Sequence, residues 1–257
     1  MVRSLYTAYT GMYNEQTRLD IISNNIANAA TSGYKQESVT SQAFEKMLAI
    51  KIRDGSDAYI DRPIGKMSLG VKVGEVFTDY GQGSLRETSG TYDLALTGEG
   101  FFQLRVLAKD GSSSIKYTRD GNFTMTNEGF IVDYRGNHLQ GQSGDLQVDP
   151  TSTNVVVDKQ GYVRVDGNIV DRIALVDFED YDYLKKSGDN EYTTVNGATP
   201  KVATAGIEQG YLEQSNVNVV SEMVDMITIT RAYEANQRVI RSVDTMLENA
   251  ANQIGRV

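Results

Sequence analysis

The chain has 257 residues, of which 40% are apolar and 23% charged, a composition that fits one large or two modest folded domains rather than a disordered protein. Its 25 basic and 34 acidic residues give a formal net charge of −9, so the chain repels phosphate backbones and nucleic-acid binding is not expected. The absence of cysteine excludes disulfides, thiolate nucleophiles and cysteine-ligated zinc, and the presence of one histidine excludes a multi-histidine metal site.

The first predicted element is a long amphipathic helix near the N-terminus. Its apolar residues recur at alternating steps of three and four, which is the heptad pattern of a coiled-coil seam. Gly11 lies inside this helix and costs about 1 kcal/mol of helix propensity relative to alanine. The segment lacks the features of a removable signal peptide. The heptad positions are Leu5, Ala8, Met12, Glu15, Leu19, Ile22 and Ile26, and only Glu15 is not apolar. The large apolar seam residues of this helix are Leu5, Met12, Leu19, Ile22 and Ile26.

The segment after the first helix gives a mixed signal. Residues Phe44 to Ile52 are compatible with a further helix, whereas Asp54 to Pro63 has the composition of an exposed loop. No stretch of the whole chain approaches about 18 uninterrupted apolar residues, so insertion into a membrane is not expected.

The middle of the chain has the pattern of a β-rich domain. Glycine next to Asn, Asp or another polar residue recurs at short intervals, as at Asp166-Gly167, and short alternating runs such as Tyr162 to Val165 lie between these turns. Strands separated by turn signals about every 8–12 residues predict an antiparallel barrel or sandwich.

A second long helix is predicted at the C-terminus, beginning near Asn218. It also carries a heptad seam, and further apolar residues beside the seam predict more than one packing neighbour. Asn236 has the character of a register-fixing seam position, because a buried amide prefers a partner of its own kind. The pattern begins at Val219 and is interrupted by Glu222. The seam residues are Met226, Ile229, Tyr233, Asn236, Ile240, Val243, Leu247 and Ile254.

These elements place the chain in the α+β class, with long N- and C-terminal coiled-coil-forming helices flanking a β-rich antiparallel body. The predicted division is a terminal helical core domain of residues 1–35 plus 215–257, a connecting segment of residues 36–80 and a β-rich outer domain of residues 81–214. Because an apolar seam must be buried, we expect the two helices to pair and to leave part of the C-terminal stripe for another molecule.

The sequence predicts no catalytic, cofactor-binding or metal site. A Ser-His-Asp triad would need His138, but the chain has no G-x-S-x-G motif and Gly136-Asn137 reads as a turn, so an exposed turn histidine is expected. Paired carboxylates such as Glu99 and Asp120 are the residue types of glycoside hydrolysis. Both lie beside glycines at predicted turns, where acidic residues are common for structural reasons.

Several motifs resemble those of the flagellar basal-body rod and hook axial protein family, in the family's order and over most of the chain. The central motif runs from Asp93 to Phe102 and continues from Tyr117 to Phe123. The C-terminal motif runs from Gly210 to Val217 and continues at Glu222 to Val224 and Arg231 to Asn236. The pattern is most similar to subunits of the distal rod, but Thr230 stands where glutamine is expected and leaves the proximal rod open. The N-terminal motif has its family positions at Asn24, Asn25, Ala27, Asn28, Thr31, Gly33, Tyr34 and Lys35. Independently of the resemblance, its asparagines are expected to bind backbone groups where the helix ends, and Gly33 is expected to adopt a positive φ there.

The resemblance implies a structural subunit of the extracytoplasmic basal body of the bacterial flagellum. It implies export through the flagellar type III apparatus, helical polymerisation of the chain with itself, and contacts with other rod and hook axial proteins. It implies no cofactor. The competing hypotheses are a proximal rod or hook-like subunit, a wall-active enzyme and a monomeric binding module. Seeded, concentration-dependent polymerisation discriminates a subunit from the last two.

Overall fold

The computed structural model describes residues 2–45, 47–50, 63–68, 70–107, 111–152, 154–188 and 190–254. They fall into two compact units. The first lies within residues 1–26, 37–78 and 219–257, and the second within residues 27–36 and 79–218. Terminal helices and antiparallel strands together confirm the α+β class.

The first unit contains both long helices. Helix α1 spans Val2–Ala27 and helix α2 spans Val219–Asn249, followed by a π-helical turn, Ala250–Ile254. At 1.5 Å per residue the two α-helices are about 39 and 46 Å long. The same unit has strands β1 (Glu37–Ala43), β2 (Met47–Ile50), β3 (Pro63–Met67) and β4 (Val71–Thr78).

Two antiparallel strand pairs follow α1, namely β1 with β4 and β2 with β3. The helix considered for Phe44 to Ile52 is therefore wrong where the chain is described. A short apolar run such as Met47–Ile50 fits a strand as well as a helix, and here its backbone pairs with β3. The loop expected from Asp54 lies outside the described residues as far as Pro63, which begins β3.

The second unit is built from short strands and one 3-10 turn, Tyr181–Tyr183. Its strands are β5 (Leu85–Glu87), β6 (Leu94–Thr97), β7 (Phe101–Leu107), β8 (Ser113–Thr118), β9 (Thr124–Met125), β10 (Ile131–Val132), β11 (His138–Leu139), β12 (Val155–Val157), β13 (Tyr162–Val165), β14 (Asn168–Arg172), β15 (Leu175–Phe178), β16 (Leu184–Lys186), β17 (Glu191–Thr194), β18 (Pro200–Val202), β19 (Gly206–Gln209) and β20 (Tyr211–Glu213).

The largest sheet of this unit has the order β16-β17-β8-β7-β11-β10-β9, and β15 joins it by pairing with β7 and β18. Smaller sheets are β12-β13-β14, β19-β6 and β20-β5. Every pairing is antiparallel, as predicted. The predicted turn at Asp166-Gly167 joins β13 to β14, where Val165 pairs with Asn168.

The core of the second unit consists of two apolar clusters. Phe102 and Phe123 meet edge to face in the larger cluster, with ring centroids 5.4 Å apart. The smaller cluster is aromatic and centres on Phe101 and Tyr192, whose centroids lie 5.6 Å apart. The central motif therefore supplies residues to both clusters, which gives its apolar positions a packing role.

Candidate assembly site

The two terminal helices contact each other at two points within the first unit. Near one end of the pair, the Asn25 side chain donates a hydrogen bond to Glu222 over 3.2 Å. Near the other end, a Cβ atom placed on Gly11 would lie 3.1 Å from Nδ2 of Asn236. Both intervals, 11 to 25 and 222 to 236, are fourteen residues, and they run in opposite directions. Helices α1 and α2 are therefore antiparallel and in register between these points.

Asn25, near the end of α1, forms hydrogen bonds with two other elements of the first unit. Its amide group pairs reciprocally with the backbone of Glu37, donating to the carbonyl over 2.8 Å and accepting from the N–H over 3.0 Å. This confirms the prediction that motif asparagines bind backbone groups where the helix ends, because the first residue of β1 is fixed to the last turns of α1. Glu222, which interrupts the apolar seam of α2, is buried beside it.

Gly11 marks the close approach of α1 to Asn236. The missing side chain leaves room for the asparagine amide, since even a methyl group there would be tighter than normal van der Waals contact. The sequence predicts that Asn236 faces another amide, whereas within the chain it packs over Gly11. A glycine that costs helix propensity is thereby explained by packing.

The most deeply buried positions of α1 are small or polar, namely Ala8, Asn14 and Asn25. Asn14 accepts a hydrogen bond from the hydroxyl of Ser41 on β1 over 3.0 Å. Helix α1 is thus held partly by side-chain hydrogen bonds of Asn14 and Asn25, which lie outside the apolar seam identified in the sequence, whereas Ala8 belongs to that seam.

The seam residues lie at intermediate depth in the single chain. The five on α1 are all half-buried, as are Met226, Tyr233, Asn236 and Ile240 on α2. Ile229 and Val243 are buried, and Leu247 is 41% exposed. The side chain of Ile254 lies outside the described residues.

Helix α2 also exposes apolar side chains on the face opposite its buried residues. We call this set the apolar row, and all its members are at least half exposed in the single chain. Such a contiguous stripe is typical of a surface that another protein covers. The apolar row consists of Val220, Met223, Val224 and Ile227.

The rest of the N-terminal motif forms a tight turn in the second unit. Gly33 has a φ angle of +66°, and a Cβ atom there would lie 2.5 Å from the backbone of Arg119. The expectation that Gly33 adopts positive φ is confirmed, and the close approach excludes a side chain independently. Asn28 accepts hydrogen bonds from the backbone N–H and the hydroxyl of Thr31, over 3.0 and 3.2 Å.

The end of this motif is fixed by a buried charge cluster. Nζ of Lys35 lies 2.6 Å from Oε1 of Glu213, and both side chains are fully buried. Lys35 also donates to the carbonyl of Gly81 over 2.8 Å, and Arg119 lies 3.4 Å from the other carboxylate oxygen. Burial lowers the pKa of Lys35, and the negative charge of Glu213 opposes this. The cluster brings the N-terminal motif against β20, where the C-terminal motif begins.

The sequence did not identify Glu213 or Arg119 as site residues, although both lie in motifs that resemble the family. The available signal was a charged residue directly after the apolar Tyr211-Leu212, because a charge that folds into the core is rarely buried without a partner. The partner itself, 178 positions away, had no signal in a single sequence.

His138 departs from expectation. It is the first residue of β11, half-buried and stacked on Phe130 with ring centroids 4.8 Å apart, so the prediction of an exposed turn histidine is wrong. The turn ends one residue earlier, and His138 pairs with Arg105 on β7. Burial and the Arg105 guanidinium lower the pKa of His138, and Asp145, 3.2 Å from its Nδ1, is already paired with Arg105.

The two carboxylates considered for catalysis lie in different surroundings. Glu99 is exposed, and Asp120 is half-buried with its pKa raised to about 6, mainly by burial. Among the described residues, no group of three or more His, Cys, Asp or Glu side chains is arranged to hold a metal ion. Within the same residues, no helix is long and apolar enough to cross a membrane.

Comparison with known proteins places these features in one family. Three family models match: "Flagella basal body rod protein" at residues 5–35, "Flagellar hook protein FlgE/F/G D1 domain" at residues 95–165, and "Flagellar basal body rod FlgEFG protein C-terminal" at residues 208–254. The flagellar basal-body rod protein FlgF of Caulobacter vibrioides is 37% identical over the whole length of both chains. The chain belongs to the flagellar basal-body rod protein family.

Other relatives of this rod protein agree with that assignment. The rod protein FlgG of Bacillus subtilis is 34% identical over 98% of this chain and 99% of its own. The flagellar hook-basal body complex protein FlhO of the same organism is 31% identical over the full length of both. This rod protein is accordingly a structural subunit of the flagellar basal body.

The three matched regions coincide with the elements described above. The first covers most of α1 and the motif turn, and the third covers β20 and α2. The Asn25–Glu222 and Lys35–Glu213 contacts therefore each join a residue of the first matched region to a residue of the third.

Proposed function

We propose that this rod protein polymerises helically through its paired terminal helices into a hollow axial shaft. In this proposal α1 and α2 act as coiled-coil-forming helices, and the seam residues Leu5 to Ile26 and Met226 to Ile254 become buried when subunits associate. The domain division predicted from the sequence, with residues 1–35 and 215–257 as the helical core, belongs to the same proposal.

The observation that carries the proposal is the incomplete burial of the helix pair in a single chain. Most seam residues are half-buried and the apolar row of α2 is exposed. Long amphipathic helices take most of their stability from packing, and exposed apolar stripes indicate a partner surface. A second copy of the same pair supplies such a surface at every position along a polymer.

Other partners follow from the same family membership. We infer that the ends of the polymer contact other rod and hook axial proteins, and that the flagellar type III export apparatus delivers the chain. Cross-linking within isolated basal bodies locates the subunit along the rod, and a neighbour at the distal or proximal end distinguishes the two placements.

We also propose that the chain has no hydrolytic activity. Single changes of Glu99 or His138 should then leave polymer formation intact and should reveal no loss of peptidoglycan cleavage. A purified chain that cleaves peptidoglycan and loses this activity on one carboxylate change would overturn the structural role.

The central experiment compares two isoleucine-to-aspartate variants in polymerisation assays seeded with wild-type polymer. Ile240 lies in the middle of the α2 seam, whereas Ile169 is exposed on β14 of the second unit. Ile240→Asp should abolish polymerisation, because burying an unpaired carboxylate costs several kcal/mol. Ile169→Asp should polymerise, and both variants should keep the β-sheet circular dichroism of the wild type.

Two outcomes contradict the proposal. A wild-type chain that keeps a fixed mass at all concentrations, with or without seeds, is not a polymer subunit. If Ile240→Asp instead melts the β-sheet signal under conditions where the wild-type monomer is folded, the helix serves the core of its own chain and not an assembly seam.

A further inference from the structure

Helix α1 carries a row of exposed tyrosines on the face turned away from its buried residues. Tyr6, Tyr9 and Tyr13, which we call the tyrosine row, follow one another at steps of three and four, so they lie on one side of the helix. Their exposed fractions are 61%, 55% and 56%. At 3.6 residues per turn, Tyr9 points about 160° away from Asn25, which contacts α2.

Helix α2 carries exposed arginines on its own outward face. Arg231, Arg238 and Arg241 form the arginine row, and Arg238 lies about 180° around the helix from the buried Ile229. The side chain of Arg238 is 76% exposed, and its ion pair with Glu234 is long, at 3.5 Å, and exposed on both sides. Such a surface pair holds its arginine weakly, so the guanidinium group is available to a partner.

The register of the helix pair places the tyrosine row and the arginine row at the same height along the helix axes. Because Gly11 lies opposite Asn236 in an antiparallel pair, Tyr9 is level with Arg238 and Tyr6 with Arg241. The two rows face away from each other in one chain. When two copies lie side by side in the same orientation, the tyrosine row of one faces the arginine row of the next.

We propose that this side-by-side contact between copies is made by the tyrosine row of one chain packing on the arginine row of its neighbour, with Tyr9 against Arg238 and Tyr6 against Arg241. The inference rests on the proposed polymerisation and specifies which faces meet. A planar guanidinium group stacks on the face of a tyrosine ring and is attracted by its quadrupole.

The same geometry explains why the contact propagates. The two rows are different surfaces, so the interface is heterologous, and repeating it gives a ring or a helical array rather than a closed dimer. The alternative match, in which the tyrosine row meets the apolar row, requires a shift from residue 238 to residue 224. Those fourteen residues correspond to about 21 Å along the helix, whereas the proposed match requires no axial shift.

Cysteine cross-linking tests the contact directly, because the chain contains no cysteine of its own. One chain carries Tyr9→Cys, a second carries Arg238→Cys, and the two are co-assembled on wild-type seeds and oxidised. The matched control replaces Arg238→Cys with Val224→Cys, an exposed position of the apolar row. We expect a disulfide-linked dimer of unlike chains from the first mixture and none from the control.

Each other result overturns the proposal in its own way. Cross-linking of position 9 to 224 but not to 238 indicates the shifted register, and cross-linking between two copies of Tyr9→Cys indicates a two-fold contact. A polymer that forms without any of these cross-links removes this contact and leaves the proposed function intact. A wild-type chain that never polymerises overturns both.

A second measurement distinguishes stacking of the Tyr9 ring from the contribution of its apolar volume. The critical concentration for polymerisation is compared for Tyr9→Phe, which keeps the ring, and Tyr9→Leu, which keeps only apolar volume. We expect Tyr9→Leu to raise the critical concentration roughly fivefold, the factor for one cation–π contact that stays partly exposed to solvent, and Tyr9→Phe to raise it less. Equal values for the two variants contradict a stacking contact.

Discussion

Lys35 and Glu213 form a fully buried ion pair at 2.6 Å although 178 positions separate them in the chain. Glu213 also accepts a hydrogen bond from the backbone N–H of Gly83 over 2.9 Å, and its own carbonyl accepts one from Gly33 over 2.8 Å. Glu213 thus neutralises the buried Lys35 with its side chain and holds the backbone of the motif turn with its carbonyl group. These contacts explain why residues 27–36 belong to the second unit.

Breaking this pair should destabilise the second unit strongly. Glu213→Gln leaves the Lys35 and Arg119 cations buried without their counter-ion, and removal of one partner of a buried pair costs about 3–5 kcal/mol. The matched control is Glu208→Gln, because the Lys159–Glu208 pair has nearly the same length, 2.7 Å, but its lysine is 75% exposed. Thermal unfolding should show a large loss of Tm for the first variant and little change for the second. Similar losses would mean that burial does not matter here.

The Gly11–Asn236 contact should appear as an energetic coupling. In the wild-type background, the helix propensity gained by Gly11→Ala, about 1 kcal/mol, is offset by crowding against the asparagine amide. In the Asn236→Ala background the crowding is relieved and the gain should be recovered. A double-mutant cycle on helix unfolding, followed by circular dichroism at low protein concentration, should give about 0.5 kcal/mol of coupling or more. Additive effects would show that the helices do not meet at this point in solution.

Asp120 should make the stability of the second unit depend on pH. Burial raises the pKa of its carboxyl group from 3.8 to about 6, with further contributions from Asp133 and Asp93. Since the folded pKa exceeds the unfolded one, the stabilising contribution of the protonated group is complete below pH 3.8 and disappears as the pH rises through about 6.

The variant Asp120→Asn removes this titration and keeps an oxygen for the N–H of Asn122, which donates to Asp120 over 3.1 Å. Its Tm relative to that of the wild type should therefore rise between about pH 4 and pH 7, since only the wild type must bury a charge. Melting curves of both proteins across this range provide the measurement. A Tm difference that stays constant with pH would argue against a raised pKa.

The sequence predicts those parts of the fold that depend on local patterns. Both terminal helices, the antiparallel strands and the Asp166-Gly167 turn follow from periodicity and turn chemistry. The strand Met47–Ile50 was not predicted, because a short apolar run without its partner strand fits two structures equally.

The contacts of the candidate site were harder to predict, because they depend on long-range partners. Glu222 only interrupts the apolar pattern in the sequence, and its hydrogen bond with Asn25 is visible only in the fold. Gly11 only lowers helix propensity in the sequence, and its contact with Asn236 gives it a packing role. The motif residues were recognisable by resemblance, but their physical roles required the three-dimensional structure. The roles of Gly33 and Asn25 were the exceptions, since a positive φ and a side-chain hydrogen bond to backbone at a helix end both follow from local sequence.

The most direct test of the helix-based assembly is amide hydrogen exchange compared between dilute monomer and sedimented polymer. We expect residues 2–27 and 219–249 to be only poorly protected in the monomer, where the helix pair is marginally stable, and to become strongly protected in the polymer, because their remaining apolar surface is buried only on association. Core strands such as β7 should be protected in both states. Full protection of both helices in the monomer, or a polymer whose new protection lies in the β-rich unit alone, would contradict assembly through the terminal helices.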